Sequence, residues 1–167
     1  MNREELEKEK WELVEILGVE LEKDPMSPVA ARIFAILILS GKQGVSFDEL
    51  VSGLNASKST VSTSLEQLQV AQKVKYFTKP GKRKRYFTIH PDLMLKAIDE
   101  MIGKWETQKQ MHEQVVLYKQ ERNKLRNASD ADQEADLDFH RDYLTFLEEA
   151  TVAIRKLKHK ISNRNNF

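Results

Sequence analysis

Hydrophobic residues recur at helical spacing along most of this 167-residue chain, and short polar or glycine-containing segments separate the patterned stretches. The first stretch, residues 3–22, predicts an amphipathic helix with a Glu- and Lys-rich outer face. Its predicted apolar face consists of Leu6, Leu13, Val14, Leu17 and Leu21. Because glycine disfavours helix, we expect Gly18 to loosen this helix or end it early. Residues 23–26 predict a connector.

The next stretch, residues 29–39, is apolar on nearly every side. A helix of this kind is buried on most sides, and this one is too short to cross a membrane, so we expect it to be the core helix of its domain. Ser27 and Pro28 are typical of a helix start, with serine as N-cap and proline at the first helical position. Gly41 and Gly44 predict the end of the helix and a turn.

Two short helices follow. Ser46 and Glu49 have the spacing of a capping box, which predicts the start of the first one. Its inward residues are Phe47, Leu50, Val51 and Leu54. Residues 55–56 predict a tight turn, and Ser57 predicts the N-cap of the second helix, because serine and asparagine favour these positions. Two short helices joined by such a turn indicate a helix-turn-helix unit.

The second short helix has an unusual polar face. Its apolar stripe is Val61, Leu65 and Leu68, and the opposite face carries Lys58, Ser59, Ser62, Thr63 and Glu66. Hydroxyl side chains compete for backbone hydrogen bonds, so a row of them on an exposed helix needs another reason. Short donors and acceptors can reach base edges and phosphates in a major groove. From this helix we therefore predict DNA contacts by Ser57, Lys58, Ser59, Thr60, Ser62 and Thr63.

A basic hairpin comes next. Residues 74–78 and 83–89 are rich in β-branched and aromatic side chains, and they flank Pro80 and Gly81, which predicts two strands and a turn. Between residues 73 and 91 there are seven Lys or Arg and no Asp or Glu. The predicted DNA contacts of the hairpin are Lys79, Lys82, Arg83, Lys84 and Arg85. A hydroxyl-faced helix in the major groove, with a hairpin along the backbone or in the minor groove, is the arrangement of a winged helix-turn-helix.

The rest of the chain predicts two long helices, residues 92–126 and 136–160, with a polar linker at 127–130 and frayed residues at 162–167. The first helix carries a stripe at Met94, Ile98, Met101, Trp105, Gln108, His112 and Val115, which is apolar except for Gln108 and His112. A shifted apolar stripe consists of Met111, Val115, Tyr118 and Leu125. The seam of the last helix is Leu137, His140, Leu144, Leu147, Thr151, Ile154, Leu157 and Ile161. These stripes exceed what one small domain covers, which predicts a two-fold homodimer. The alternative is an intramolecular hairpin of the two helices.

Together these patterns predict a mainly α fold with a small β-wing. We expect an N-terminal dimerisation helix at residues 1–24, a winged helix-turn-helix DNA-binding domain at 25–91, and a C-terminal helical dimerisation region at 92–167.

Charge and composition narrow the function classes. The chain has 27 basic and 26 acidic side chains, so a DNA-binding surface is recognised by the local hairpin patch and not by net charge. A second basic cluster consists of Arg155, Lys156, Lys158, Lys160 and Arg164. The absence of cysteine excludes disulfides, thiolate catalysis and zinc fingers. Without a long apolar run or a secretory signal pattern, the protein is expected to be soluble and cytoplasmic.

No catalytic or metal-binding motif is found. The four histidines are scattered singly, and we interpret His112 and His140 as polar residues of helix interfaces and not as ligands. The aspartates at 130–138 lack the glycine and terminal glutamate of a calcium loop. We therefore predict no enzyme activity, no cofactor and no metal.

Aromatic residues outside the predicted DNA-reading unit suggest one ligand class. Such faces attract quaternary ammonium ions, and a small-molecule effector site would draw on Trp11, Trp105, Tyr118 and Tyr143, with Phe139 and Phe146 nearby in sequence. The alternative is that these aromatics belong to the core, as aromatics at helical spacing usually do.

Three stretches together resemble the MarR family of bacterial transcription regulators: residues 28–33 with the apolar run that follows, residues 57–62 (Ser-Lys-Ser-Thr-Val-Ser), and the hairpin residues 79–84. Within that family they are most similar to the GbsR-like branch, which is named for glycine-betaine and choline regulation. The resemblance is good over residues 25–90 and general in helix layout beyond. It implies a homodimer held by N- and C-terminal helices, one winged domain per subunit, and regulation at palindromic operators.

Two features depart from the pattern of that family. Members usually have Gly-Leu-Val or a similar triplet after the recognition helix, whereas residues 72–74 are Gln-Lys-Val. Many also carry an acidic residue beside an arginine in the wing, and this wing has none. The competing function is a winged-helix protein–protein adaptor without specific DNA binding, which would more often expose apolar residues on the same surface.

Overall fold

The computed structural model describes residues 2–81, 83–125 and 135–165, and the side chains of residues 135, 136 and 165 are outside that description. The fold is mainly helical with a small three-stranded antiparallel sheet, which confirms the predicted fold class. The elements are α1 (Arg3–Leu21), α2 (Pro28–Ser40), β1 (Val45–Ser46), α3 (Phe47–Leu54), α4 (Lys58–Val70), β2 (Val74–Thr78), β3 (Arg85–Ile89), α5 (Leu93–Lys124) and α6 (Ala135–Asn165). The chain divides into two compact units, Met1–Leu93 and Met94–Phe167.

Helix α2 is the centre of the first unit, as predicted. The Ser27 hydroxyl accepts a hydrogen bond from the Ala30 amide and Pro28 occupies the first helical position, so the N-terminus forms where the sequence indicates. Ile33 and Leu37 are fully buried, and they pack in one apolar core with residues of α3, α4 and the sheet. Gly41 caps the C-terminus with a positive φ of 59°.

Helix α1 packs on α2, and two expectations about it are wrong. The helix does not end at Gly18 but continues to Leu21, because Gly18 is buried against Arg32 of α2. A Cβ at Gly18 would lie 2.9 Å from Cγ of Arg32, so the missing side chain allows the close approach. The predicted apolar face is also partly wrong, since Leu6 and Leu13 are 54% and 38% exposed. The face that packs on the core carries Trp11, Val14, Leu17 and Leu21.

An ion-pair cluster joins the same two helices. The guanidinium of Arg32 lies 2.8 Å from a carboxylate oxygen of Glu15 and 2.6 Å from one of Glu22. Its remaining contact is a hydrogen bond to the carbonyl oxygen of Pro28, at 3.1 Å. Because Arg32 is the one charged residue within the apolar run of α2, this cluster explains how the run tolerates it.

The sheet places the wing beside the core. Its strand order is β1-β3-β2, with Val45 paired to Phe87 and Thr78 paired to Arg85. Gly44, which has a φ of 67°, precedes β1, and a Cβ there would lie 2.8 Å from the Phe77 ring. Glycine at this position therefore meets both a backbone and a packing requirement.

The second unit contains an antiparallel pairing of α5 and α6. Asp99 pairs with Lys158, Glu106 pairs with Arg155, and the Nδ1 atoms of His112 and His140 are 2.8 Å apart. The predicted fraying of residues 162–165 is wrong, because α6 continues to Asn165. The polar linker predicted at 127–130 lies outside the described residues. The two helices thus pair within one chain, as the alternative prediction has it, and this pairing covers part of the apolar stripe of each helix.

This pairing leaves apolar side chains of both helices exposed. On α6, Phe139, Phe146, Ala153 and Leu157 follow a spacing of seven, seven and four residues, so they share one side of the helix, and all four are exposed. On α5 the exposed residues include three of the predicted shifted stripe, Met111, Tyr118 and Leu125. Among the described residues, no helix is long and apolar enough to cross a membrane.

Candidate nucleic-acid interface

The N-terminus of α4 is fixed by a group of three hydroxyls. The Ser57 hydroxyl accepts a hydrogen bond from the amide of Thr60 at 3.1 Å, which makes Ser57 the N-cap as predicted. The same oxygen lies 2.9 Å from the hydroxyl of Ser59 and 2.7 Å from that of Thr60. These three side chains therefore stabilise the first turn of α4 and hold one another in place.

The two faces of α4 are those that the periodicity predicts. Val61, Leu65 and Leu68 are buried, together with Ser64. The opposite side is exposed and carries Lys58, Ser59, Ser62, Thr63, Glu66 and Gln67. Gln67 was not among the predicted contacts, although it follows Thr63 by four residues and so lies on the same side of the helix. The exposed surface of α4 thus presents short hydroxyls with one ammonium, one carboxylate and one carboxamide.

The turn after α4 contains a strained residue. Gln72 has a φ of +54°, a conformation that glycine adopts readily and other residues rarely do. It lies where the resembled family has glycine, and it allows the Lys73 amide to donate to the Leu68 carbonyl at 2.9 Å. The His90 amide then donates to the Lys73 carbonyl, also at 2.9 Å. The turn therefore keeps its left-handed conformation, although glutamine stands in the place of glycine.

Aromatic rings support the cations at the base of the wing. The ammonium of Lys79 lies 4.0 Å from the ring centre of Tyr86, and the guanidinium carbon of Arg85 lies 4.8 Å from that of Tyr76. Tyr86 in turn stacks on Phe77 with ring centres 5.9 Å apart. Cation–π contacts of this kind restrict long side chains without neutralising them. Both cations therefore keep their charge available to an anionic partner.

Lys84 differs from its neighbours in the wing because it already has an anionic partner. Its ammonium lies 2.8 Å from the carboxylate of Asp48 at the start of α3. The hydrogen bond from Lys84 holds the pKa of Asp48 below its ordinary value and raises the pKa of Lys84. Arg83 is exposed, and Lys82 lies outside the described residues. Of the predicted wing contacts, Lys84 is thus the residue that links the wing to α3, whereas Arg83 faces solvent.

The aromatic residues predicted for an effector have different surroundings. Trp11 packs on the core of the first unit, where a Cβ added to Gly53 would lie 2.6 Å from its ring. In the second unit, Tyr143 lies against His112, with ring centres 4.6 Å apart, and its hydroxyl donates to Gln108 at 3.3 Å. Phe139 and Phe146 stack on either side of Tyr143. Within the described residues, neither Trp105 nor Tyr118 joins this group of rings.

The histidines are not all isolated, although their spacing in the sequence suggested that they are. Besides the contact between His112 and His140, the ammonium of Lys119 lies 3.1 Å from Nε2 of His140. A lysine donating to Nε2 leaves the proton of His140 on Nδ1, which then donates to Nδ1 of His112. The two rings therefore meet between α5 and α6, in keeping with the interpretation as interface residues. Residues that approach only across two helices give no spacing signal in the sequence.

Comparisons with known proteins give a likeness in fold. No family model and no curated protein matches the chain. A crystal structure described as a transcriptional regulator matches with a TM-score of 0.51 at 19% identity, covering 93% of this chain and 99% of that one. Two further structures match less well: the S. aureus MepR–DNA complex (TM-score 0.40, 14% identity, 71% of this chain and 93% of that one) and the regulator Tm0710 from Thermotoga maritima (0.37, 20%, 74% and 97%). The match at a TM-score of 0.51 shows that the chain shares the fold of that crystal structure.

Proposed function

We propose that the protein is a sequence-specific regulator of transcription that binds double-stranded DNA as a homodimer. The observation that carries this proposal is the exposed hydroxyl face of α4 in the same compact unit as an acid-free basic wing, residues 73–91. The solved protein that shares this fold is described as a transcriptional regulator, which agrees with the proposal.

Each surface suits a different part of the duplex. A helix with short side chains fits the major groove, where Ser59, Ser62 and Thr63 would meet base edges or nearby phosphates. The wing presents long cations, which suit the phosphate backbone or a narrow minor groove. Of these, Lys79, Arg83 and Arg85 form no ion pair with a carboxylate among the described residues, so their charges are the ones we assign to DNA.

A homodimer accounts for the exposed apolar side chains of α5 and α6. A second copy of the chain would cover the α6 stripe of Phe139, Phe146, Ala153 and Leu157. Two-fold symmetry would also pair two recognition helices with the halves of a palindromic operator. On this basis residues 1–24 and 92–167 serve dimerisation and residues 25–91 bind DNA. Sedimentation at micromolar concentration tests this, and a clean monomer would contradict it.

The GbsR-like branch of the MarR family is the proposed affiliation, on the residues 28–33, 57–62 and 79–84. It supplies a candidate effector class, the quaternary ammonium compounds, whose charge suits the aromatic side chains of the second unit. Titration with choline and glycine betaine, followed by tryptophan fluorescence and operator affinity, tests this part. No change in either signal at millimolar ligand would exclude both compounds.

The decisive experiment separates backbone contacts from base contacts. Affinities for a selected operator and a scrambled duplex are measured at several salt concentrations for the wild type, Arg83→Ala, Ser62→Ala and Thr63→Ala. Arg83→Ala should weaken binding to both duplexes and lower the salt slope by roughly one per lost phosphate contact per subunit. Ser62→Ala or Thr63→Ala should leave the salt slope unchanged. Each should weaken the binding free energy by about 1–3 kcal/mol, and only for the base pair that the hydroxyl contacts.

Lys104→Ala is the matched control, because it removes one positive charge from an exposed position on α5, outside the proposed interface. It should leave both affinities near those of the wild type. If Arg83→Ala behaves like this control on both duplexes, the DNA-binding assignment should be abandoned in favour of the protein–protein adaptor.

A further inference from the structure

The exposed face of α4 contains one carboxylate, that of Glu66. It follows Ser62 by four residues and Thr63 by three, so it belongs to the same side of the helix as these hydroxyls. It lies seven residues after Ser59, which places it roughly 10 Å further along the helix axis. That distance is within the reach of a helix lying in the major groove. Glu66 is therefore part of the proposed reading surface.

Within the described residues, Glu66 has no side-chain hydrogen bond and no ion pair that would neutralise or occupy it. Arg85 of the wing lines the same depression as Glu66, together with Ser62, Gln69 and Phe47. The guanidinium of Arg85, however, lies over the ring of Tyr76. The carboxylate thus faces solvent as a negative charge on a surface that would otherwise be neutral or positive.

A carboxylate in this place opposes binding to DNA in general. Phosphates repel it along both edges of the groove. It becomes favourable only where it accepts hydrogen bonds from the DNA. In the major groove the donors are amino groups of bases, and the N4 amino group of cytosine is the one that Glu and Asp side chains usually contact. Guanine O6 and thymine O4 are acceptors and would repel it.

We propose that Glu66 is a specificity-determining residue that selects cytosine at one position in each half of the operator and rejects other sequences through repulsion. This inference rests on the proposed function. The hydroxyls of Ser62 and Thr63, which both donate and accept, tolerate several bases, whereas a carboxylate only accepts. Glu66 therefore provides the discrimination that the hydroxyls lack.

The experiment is a selection of bound duplexes from a random pool, carried out with the full chain as wild type, Glu66→Gln, Glu66→Ala and Glu9→Gln. Glu9→Gln is the matched control, because it removes one negative charge from an exposed position on α1. Thermal unfolding of each variant verifies that the exposed substitutions leave the fold intact. Affinity for a scrambled duplex is measured alongside.

The wild type and Glu9→Gln should enrich cytosine at one symmetric position. Glu66→Ala should reduce that preference about tenfold or more, while the preferences at other positions persist. Glu66→Gln should move the preference toward adenine, which a carboxamide contacts through N6 and N7. Both Glu66 variants should also bind the scrambled duplex more tightly than the wild type does.

Two results would overturn the inference, and they differ. If the Glu66 variants select the same bases as the wild type and only bind all duplexes more tightly, Glu66 merely repels phosphates and the proposed function stands. If the wild type enriches no sequence at all, the proposed function fails together with the role of Glu66.

Discussion

The two compact units bury their apolar residues to different extents. In Met1–Leu93, helix α2 is enclosed by α1, α3, α4 and the sheet, and side chains such as Ile33, Leu37 and Leu50 are fully buried. In Met94–Phe167, the buried hydrophobic residues among those described are Ile98, Leu137 and Leu147. The second unit has long helices with an apolar stripe on each of two sides, and pairing within one chain covers only one of them.

This difference indicates different requirements for stability. A closed core buries apolar surface from several directions and can hold a small domain without help. A pair of long helices with exposed aromatic residues gains much less from its own contacts. The reading unit should therefore be stable by itself, and the helix pair should depend on a second copy of the chain.

The largest effect should come from a cavity in the closed core. Leu37→Ala removes a fully buried side chain of α2 and should lower the free energy of unfolding by about 3 kcal/mol. Leu39→Ala on the same helix is the control, because Leu39 is 39% exposed, and it should cost about 1 kcal/mol or less. Urea denaturation followed by circular dichroism measures both. Equal losses would mean that α2 is not the enclosed centre of this unit.

Two glycines with positive φ near β1 test how tightly the wing joins that core. A Cβ added at Gly41 meets no atom within 4 Å. Gly41→Ala should therefore lower the free energy of unfolding only through backbone strain, by about 1–2 kcal/mol. Gly44→Ala has similar strain, and its Cβ would also lie 2.8 Å from the Phe77 ring and 2.9 Å from the Phe87 carbonyl oxygen. It should cost about 1–3 kcal/mol more than Gly41→Ala in the same urea titration. Indistinguishable midpoints would show that the sheet accommodates the added methyl group.

In the second unit a charge should break assembly without breaking the fold. Phe146→Asp places a carboxylate in the exposed α6 stripe and should raise the dissociation constant of the dimer at least about tenfold. Asn163→Asp adds the same charge at an exposed position of α6, about 9 Å beyond the last residue of the stripe, and should leave the constant nearly unchanged. Sedimentation over a range of concentrations measures both. Equal constants for the two variants would place the dimer contact elsewhere.

The elements that sequence reasoning predicted correctly depend on local contacts. The caps at Ser27, Ser46 and Ser57 each involve an amide three residues ahead, so the spacing alone indicates them. The continuation of α1 through Gly18 depends instead on Arg32 of another helix. For the same reason periodicity could not decide which apolar side of α1 packs inward, because that choice is made by α2 and α3.

In the candidate site, too, the sequence predicted the features that depend on local spacing and missed the contacts between distant residues. The exposed and buried sides of α4 follow from helical periodicity, and the sequence predicted them. The partner of Lys84 is 36 residues away in the chain, and the His112–His140 contact joins residues 28 apart, so neither leaves a pattern of spacing. The six cations of residues 74–89 look equivalent in the sequence, and only the fold distinguishes Lys84, which faces Asp48.

The smallest effect concerns the ion pair between Lys84 and Asp48. It tests whether the closed packing of the first unit extends to the wing. The pKa of Asp48 is lowered by the hydrogen bond from Lys84, so the carboxylate is favoured in the folded state. A lowered pKa contributes stability at pH values above the unfolded pKa of about 4, and this contribution disappears as the pH falls through the lower folded value. Asp48→Asn should therefore be less stable than the wild type at pH 7, and the difference should vanish in acid. The neighbouring Glu49, whose pKa is lowered by hydrogen bonds from Ser46, titrates in both proteins and cancels in the difference. Because the pair is exposed, the difference at pH 7 should also shrink in high salt. A difference in unfolding free energy that stays constant from pH 7 into acid would show that Lys84 does not bind Asp48 in solution, and Lys84 would then rejoin the cations available to DNA.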